Sequence, residues 1–428
     1  MPPRRPARPP SLVFANSRGE ILDFPDLYMA GDSCGRFAQP ETDDLIELPP
    51  GSELFVLPGR LPAGINPATG EAEVLSSNPH DGSAPQAVAA FMAPAHTLVY
   101  TAAYRTTAGA PLLPLFAYAA VGWQAGKFWV AGFRSDPDPR QDADRFNQKT
   151  INRRTAAMMK RLPANRLVQH LGRCCLSYGC PAARNFFLGR WEAPLPTSPV
   201  CNASCAGCIS LQPSGCCPAA QERISFVPSP REIAEIAVPH LTTAERAIVS
   251  FGQGCEGEPL LQAPTLEKSI RLMRGSTSRG TINLNSNAGL PAAVERLIDA
   301  GLDSIRVSLN SARPALHELY YRPRGFSLRD VRRSIILMKK AGRHVSLNYF
   351  ILPGFTDDPD EYRALCGLIE TCGPDYIQLR NLNMDPEWYM RVVHHRSSGK
   401  PLGIRNWLEG LRTRFPLLRF GYFNPPLR

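Results

Sequence analysis

The chain has 428 residues, 43% of them hydrophobic, and a formal net charge of +10. This length and composition predict two or three domains with substantial cores and exclude a globally disordered protein. No run of about 18 apolar residues is present, and the N-terminus lacks the apolar segment of a secretory signal. We therefore expect a cytoplasmic protein without a membrane span. Its 12 cysteines then indicate metal or redox chemistry instead of disulfides.

The first 140 residues are predicted to form an arm and a small β-rich domain. Residues 1–11 are rich in proline and arginine, so we expect a disordered basic arm. Within residues 12–140, the segments LVFANSRGEILDF and LFAYAAVGWQAGKFWVAGF are each typical of two strands joined by a tight turn. These hairpins predict an accessory domain built from β-sheet.

Residues 141–195 are interpreted as a basic helical linker that includes a cysteine-rich segment. Basic residues recur from Arg145 to Arg173 with no acidic residue between them. Two interpretations remain open for this stretch. It is either a solvated helix face or a surface that binds RNA or another polyanion.

Strands alternate with helices over residues 196–385. We predict strands at 196–200, 247–252, 281–287, 304–310, 344–352 and 376–382, and capping signals at Ser229 and Ser327 begin two of the helices. Repeated βα units predict a parallel sheet, and six strands are too few to close an eight-stranded barrel. The predicted fold class is α/β, with a partial (β/α)6 TIM-like barrel after the β-rich domain. Residues 386–428 are predicted to be a C-terminal extension.

Polar residues gather at the carboxyl ends of these strands, which is where parallel barrels bind ligands. The segment CNASCAGC follows the first strand, GQGCEGEP follows the second, and asparagines recur within the later strands. Because asparagine is a poor strand former, this repetition indicates a polar ligand in the barrel interior.

The cysteine spacing in CNASCAGC indicates the kind of metal centre. Cys201, Cys205 and Cys208 place three thiolates in one loop, which suits three irons of a 4Fe-4S cluster and leaves the fourth iron open. A structural zinc site would need four ligands. An open iron can bind the amino and carboxylate groups of S-adenosylmethionine (SAM).

With CNASCAGC, the GEP segment at 257–259 and the polar strands that follow, the sequence resembles the radical SAM superfamily over about residues 196–383. The resemblance implies a radical SAM barrel in which the three cysteines bind the cluster. It implies contacts of Gly257 and Glu258 with the methionine amine of SAM, of Asn285, Ser308 and Asn310 with its carboxylate and ribose, and of Asn381 with its adenosyl part. FGQGCEGEPLL and SIRVSLNSARP are most like the radical SAM methyltransferases that modify RNA adenine, although the C-terminal cysteine those enzymes need is absent.

The resemblance also implies an activity. A one-electron reductant of the flavodoxin or ferredoxin type would reduce the cluster, and SAM would be cleaved to methionine and a 5′-deoxyadenosyl radical that abstracts hydrogen from a substrate. The substrate is unidentified, and the basic stretch favours an anionic molecule or RNA. The alternative is a non-catalytic iron–sulfur or zinc protein that binds nucleic acid.

The other cysteines leave alternatives open. Cys255, two residues before Gly257, is a candidate substrate-facing thiol that can quench a radical or donate hydrogen, or else an inert loop cysteine. An auxiliary iron–sulfur cluster and redox-inert thiols are both consistent with the cysteines that flank the main motif, which are Cys174, Cys175, Cys180, Cys216 and Cys217.

Overall fold

The chain divides into two compact units, each assembled from separate stretches of sequence. The computed structural model describes residue 6, residues 8–212, residue 217 and residues 219–397 and 399–427. The first unit comprises Met1–Pro137, Phe350–Ala364 and Leu379–Pro416, and the second comprises Asp138–Tyr349, Leu365–Gln378 and Leu417–Arg428. Most of the predicted N-terminal arm, residues 1–5 and 7, lies outside the described residues.

The N-terminal part of the first unit is antiparallel β-structure. Its strands are β1 (Ser11–Ala15), β2 (Ile21–Met29), β3 (Gly31–Asp32), β4 (Phe37–Ala38), β5 (Leu45–Glu47), β6 (Glu53–Leu57), β7 (Arg60–Ile65), β8 (Ala72–Val74), β9 (Gln86–Phe91), β10 (His96–Leu98), β11 (Thr101–Ala102), β12 (Tyr104–Thr106), β13 (Val121–Gln124) and β14 (Lys127–Arg134). Eleven of them form one sheet and three form another.

Both predicted hairpins are present in the larger sheet. β1 pairs antiparallel with β2, and β13 pairs antiparallel with β14. Gly126 has a φ of +78° in the second turn, a conformation that favours glycine. Val13, Val88, Leu98 and Val130 pack together as the core of this sheet. The prediction of an N-terminal β-rich region is therefore confirmed.

The remaining elements begin with three helices, after which each strand before the last is followed by one or two helices. They are α1 (Gln148–Arg161), α2 (Arg166–Leu176), α3 (Pro181–Phe187), β15 (Glu192–Pro194), α4 (Pro230–Thr243), β16 (Ile248–Phe251), α5 (Ala263–Ser276), β17 (Thr281–Ser286), α6 (Pro291–Ala300), β18 (Ser304–Leu309), α7 (Pro314–Tyr321), α8 (Leu328–Lys340), β19 (His344–Ile351), α9 (Pro359–Cys372), β20 (Tyr376–Asn381), α10 (Pro386–Val392), α11 (Ile404–Arg414) and β21 (Arg419–Gly421). Capping boxes begin α4 at Ser229 and α8 at Ser327, as predicted. None of the described helices is long and apolar enough to cross a membrane.

Strands β15 to β21 form a seven-stranded sheet in sequence order. The sheet is parallel and curled into a half-barrel, which confirms the predicted α/β class. It has one more strand than predicted, because the three-residue strand β21 lies in the segment interpreted as an extension and pairs with β20. The carboxyl ends of neighbouring parallel strands lie at one edge of such a sheet, so the loops after β15 and β16 are brought together there.

The predicted first strand at 196–200 is wrong, because β15 ends at Pro194. Leu195 still donates its N–H to Ser250 of β16. The next two free N–H groups, of Thr197 and Ser198, instead donate to the carboxylate of Glu256. The chain therefore leaves the sheet before the cysteine-containing loop begins.

Candidate cofactor site

The loop that contains Cys201, Cys205 and Cys208 is held in place by the end of α7. The Ser204 N–H donates to the carbonyl of Tyr321 at 2.9 Å, and the Ala206 N–H donates to the carbonyl of Tyr320 at 3.0 Å. These are carbonyls that a helix leaves without an intrahelical partner at its C-terminus. The three half-buried thiols are therefore presented by a loop whose shape is set by backbone hydrogen bonds.

Burial disfavours the free thiolate at two of the three cysteines. Burial raises the pKa of the Cys201 thiol, to which the charge of Glu258 adds, and burial raises the pKa of the Cys205 thiol further. A metal ion would reverse this preference, because thiolates are the ligating form. Two protein cations lie at the edge of the site: Arg223 Nη2 is 3.4 Å from Cys208 Sγ, and Arg324 Nη2 is 3.4 Å from the Cys201 carbonyl oxygen.

The GEP segment after β16 crosses the backbone directly before Cys201. Gly257 donates its N–H to the Ser198 carbonyl at 2.6 Å, and Glu258 donates its N–H to the Val200 carbonyl at 2.9 Å. A Cβ atom on Gly257 would lie 2.0 Å from the Val200 oxygen. Only glycine allows the two loops to approach this closely.

Glu256 also links the loop after β15 to the loop after β16, and the sequence analysis did not predict this role. Its two carboxylate oxygens accept four backbone N–H groups, from Thr197, Ser198, Gly252 and Gln253, at 2.7–2.9 Å. Burial raises the pKa of Glu256 to about 7, while the four donors lower it. An acidic residue in a glycine-rich loop is usually solvated, so nothing about its position predicted this bridging role.

Glu258 connects the GEP segment to the end of β17. Its carboxylate accepts the Ser286 hydroxyl at 2.6 Å, the Asn287 N–H at 2.9 Å and the Leu260 N–H at 3.1 Å. Burial raises the pKa of Glu258 despite these donors. The side chain is 3% exposed, so its position is set by neighbours on three sides.

Away from the carboxyl ends of the strands, the interior face of the sheet carries a network of hydrogen-bonded polar side chains. Asn285 donates to the carbonyl of Gly252 at 2.9 Å and accepts from Asn283 at 2.8 Å. Asn283 in turn accepts from the Ser304 hydroxyl at 2.8 Å. These strand residues therefore satisfy one another.

Nearer the carboxyl ends of the strands, a buried polar atom has no hydrogen-bond partner within the part of the chain that the structure describes. Ser308 of β18 is half-buried and lies opposite Asn348 of β19 in the parallel register. Asn348 Oδ1 is buried without a hydrogen-bond partner among the described residues. Asn310 donates to the Leu316 carbonyl at 3.2 Å. A buried acceptor without a donor is unusual, so Asn348 Oδ1 is available to accept a hydrogen bond from a polar ligand at this end of the sheet.

The family model of the radical SAM superfamily matches residues 195–366. The chain contains a radical SAM domain. The match begins at the residue after β15 and includes both the cysteine loop and the GEP segment, so it covers the two loops whose geometry is described above. No curated protein matches the chain.

Several solved structures are similar to part of the chain. They include a radical SAM methyltransferase from Sphaerobacter thermophilus (15% identity, 48% of this chain and 63% of that chain, TM-score 0.35) and SuiB from Streptococcus suis bound to S-adenosylmethionine (14%, 56% and 54%, TM-score 0.38). Methylornithine synthase PylB is a third (14%, 64% and 71%, TM-score 0.37). The chain thus spans less than two thirds of the first two structures. With TM-scores below 0.5, the family match is the stronger finding.

Asn381, which is predicted to contact the adenosyl part of SAM, has its amide group engaged within the first unit. Its Oδ1 accepts the Leu98 N–H at 3.0 Å, and its Nδ2 donates to the His96 carbonyl at 3.1 Å. Both ends of the amide thus bind β10. The contact with the adenosyl group stays a prediction.

The structure places Cys255 against α2 of the second unit. Cys255 is 5% exposed, and its Sγ lies within 4.8 Å of ligand atoms of His170 and Cys174. Of the other cysteines predicted around an auxiliary cluster, Cys175 turns the opposite way, with its Sγ 3.5 Å from Thr155 Oγ1. Cys217 is buried, and Cys216 lies outside the described residues.

Proposed function

We propose that this protein is a radical SAM enzyme that abstracts hydrogen from a substrate after reductive cleavage of SAM. The observation that supports it most is the loop of Cys201, Cys205 and Cys208, whose backbone is fastened to α7 and to the GEP segment within a radical SAM domain. When bound, a 4Fe-4S cluster on these thiolates would supply the electron that breaks a carbon–sulfur bond of SAM, giving methionine and a 5′-deoxyadenosyl radical.

The residues around the loop fit such a cofactor pair. Three thiols suit three irons, and a fourth thiol is not needed, since SAM would occupy the remaining iron. Gly257 keeps the GEP backbone next to Cys201, where it would meet the methionine part, and Glu258 would stabilise the amine through its negative charge. Ser308, Asn310 and Asn348 would bind the polar groups of SAM at the strand ends, and Asn285 would support them from the network below.

The proposed role of the protein is to position SAM and the substrate and to exclude water from the site. The two loops joined by Glu256 fix the cluster ligands relative to the GEP segment, which limits the orientations in which SAM can bind. Removal of water protects a reactive carbon radical from side reactions. Hydrogen abstraction then depends on where the substrate is held.

The partners we propose are a one-electron reductant of the flavodoxin or ferredoxin type and an anionic substrate, with RNA as one candidate. Helix α1 buries only Ile151 and Thr155. It exposes the basic side chains Lys149, Arg153, Arg154, Lys160 and Arg161. Binding of a polyanion to this face would weaken steeply as salt is raised.

The test is to incubate the anaerobically reconstituted, dithionite-reduced protein with SAM and to measure 5′-deoxyadenosine. We expect a brown protein with about four irons per chain and 5′-deoxyadenosine formed in amounts above those of the Cys201→Ser/Cys205→Ser/Cys208→Ser variant. A colourless protein with one zinc at these three cysteines, or a brown protein that leaves SAM intact, would contradict the proposal. Either result would favour a non-catalytic metal protein.

A further inference from the structure

A second group of metal-ligating side chains lies outside the CNASCAGC loop. The ligand atoms of His170, Cys174 and Cys255 all lie within 4.8 Å of one another. His170 Nε2 is 3.5 Å from Cys174 Sγ. Two of the three side chains are buried, and His170 is half-buried.

The fold explains why these three residues meet. His170 and Cys174 are four residues apart on α2, so their side chains share one face of the helix. The start of α2 is fixed by Asn165, whose side chain accepts the Val168 N–H. Cys255 approaches from the loop after β16, where its carbonyl accepts the Ile224 N–H at 2.8 Å.

We propose that His170, Cys174 and Cys255 bind a single metal ion of the zinc class, separate from the site at Cys201, Cys205 and Cys208. Two thiolates on one zinc ion, each at about 2.3 Å, lie about 3.8 Å apart in a tetrahedral site, which is within the 4.8 Å limit that these ligand atoms keep. Thiolates on a 4Fe-4S cluster bind different irons at separate corners and lie further apart. Two thiolates and an imidazole are also the donors that zinc prefers.

Metal ions bind cysteine in its thiolate form, so a divalent cation at this point would hold both Cys174 and Cys255 as thiolates.

A further cysteine and an entry route lie close by. Cys180 donates its N–H to the Cys174 carbonyl at 3.1 Å and its thiol is half-buried, but its sulfur is not among the ligand atoms that lie within 4.8 Å of one another. His170 also lines a cavity of about 650 Å³ together with Arg173, Tyr178, Ser210, Arg223 and Phe226. A hydrated ion could reach the imidazole through this cavity. Once bound, it would fasten α2 to the loop that continues into Glu256 and Glu258.

The experiment uses the full chain with Cys201→Ser/Cys205→Ser/Cys208→Ser, so that the first site cannot bind metal. We expect about one zinc per purified chain by mass spectrometry of metals. After chelation, Co²⁺ alone should bind with equal stoichiometry and give the intense visible bands of a tetrahedral thiolate site. In this background, Cys174→Ser should lower Co²⁺ affinity at least 10-fold, whereas Cys175→Ser, the neighbouring buried cysteine that contacts Thr155, should leave it unchanged.

His170→Gln provides a milder variant, because His170 is half-buried and its replacement should leave the fold intact by circular dichroism. We expect a 10- to 100-fold loss of Co²⁺ affinity there. The proposal is overturned if the folded triple variant binds neither zinc nor Co²⁺, if it contains about four irons with sulfide, or if Cys174→Ser and His170→Gln bind Co²⁺ as tightly as Cys175→Ser. Since the first site is absent throughout, these outcomes are independent of whether the protein cleaves SAM.

Discussion

At the scale of single residues, Glu256 and Glu258 show how surroundings give two similar side chains different tasks. Both are buried and lie two positions apart in GCEGEP. Glu256 accepts only backbone N–H groups and joins the loops after β15 and β16. Glu258 reaches β17 instead and adds a charge that raises the pKa of Cys201. This position next to Cys201 is consistent with the proposed contact between Glu258 and the amine of SAM.

We predict that Glu258→Ala weakens SAM binding at least 10-fold while the protein still assembles its cluster. The variant removes the negative charge but none of the thiols, and the loop bonds from Gly257 to Ser198 remain. Equilibrium dialysis with SAM and iron analysis measure the two effects. Glu267→Ala is the matched control, because Glu267 is on α5 and its contacts are with Arg271 and Arg296. Equal SAM affinity in both variants would show that Glu258 has only a structural role.

Arg223 is predicted to raise the reduction potential of a cluster at Cys208. Its guanidinium lies 3.4 Å from Cys208 Sγ, and a nearby cation stabilises the form that has gained an electron. Arg223→Gln should therefore lower the midpoint potential by tens of millivolts in a titration followed by electron paramagnetic resonance. Arg231→Gln, an exposed arginine paired with Glu235 on α4, should leave it unchanged. A shift of the same size in both variants would disprove a local effect.

At the scale of elements, the parts that the sequence predicted are those fixed by local pattern. Strands β17 to β20 were predicted to within one residue at each end, because apolar runs bounded by turn residues define them. The first strand was misplaced because Glu256, some 60 positions along the chain, captures the N–H groups that would have continued it. The meeting of Cys174 with Cys255 also depends on tertiary structure, so spacing alone could not show it.

The crossing of the cysteine loop and the GEP segment yields a prediction of its own. Gly257→Ala would force a Cβ atom to 2.0 Å from the Val200 oxygen, so the two loops must separate. We expect the purified variant to retain less than half of the wild-type iron and to unfold at a lower temperature. Gly367→Ala in α9 is the control, since a Cβ there meets nothing within 4 Å and alanine favours a helix. Wild-type iron content in Gly257→Ala would mean that the close approach is not needed.

At the scale of the whole molecule, the N-terminal strands do not form a unit by themselves. They share the first unit with residues 350–364 and 379–416. Arg60 of β7 forms an ion pair with Asp385 at 2.8 Å, with both side chains at most 2% exposed. Asp385 also accepts the Leu113 N–H and caps α10 through the Trp388 N–H. The β-rich region is thus joined to a late segment of the chain by a buried charge.

We predict that Arg60→Met lowers the free energy of unfolding by about 3 kcal/mol, because it leaves the carboxylate of Asp385 buried without its cation. Urea denaturation followed by tryptophan fluorescence measures the change. Arg18→Met removes an ion pair with Glu20 in which both side chains are more than half exposed, and its effect should stay below about 0.5 kcal/mol. Comparable losses in the two variants would show that burial does not determine the strength of the Arg60 pair.

The division of the first unit among distant stretches affects how the protein is made. A ribosome completes the N-terminal strands at about residue 137 but reaches residue 350 only some 210 residues later. At about 5–20 residues per second, that interval lasts about 10–40 s. During this time the nascent sheet has Arg60 but not Asp385, so one of its buried cations is still without its counter-ion. Synthesis in a heterologous host should therefore benefit from abundant chaperones, which protect the half-built unit until its later segments arrive.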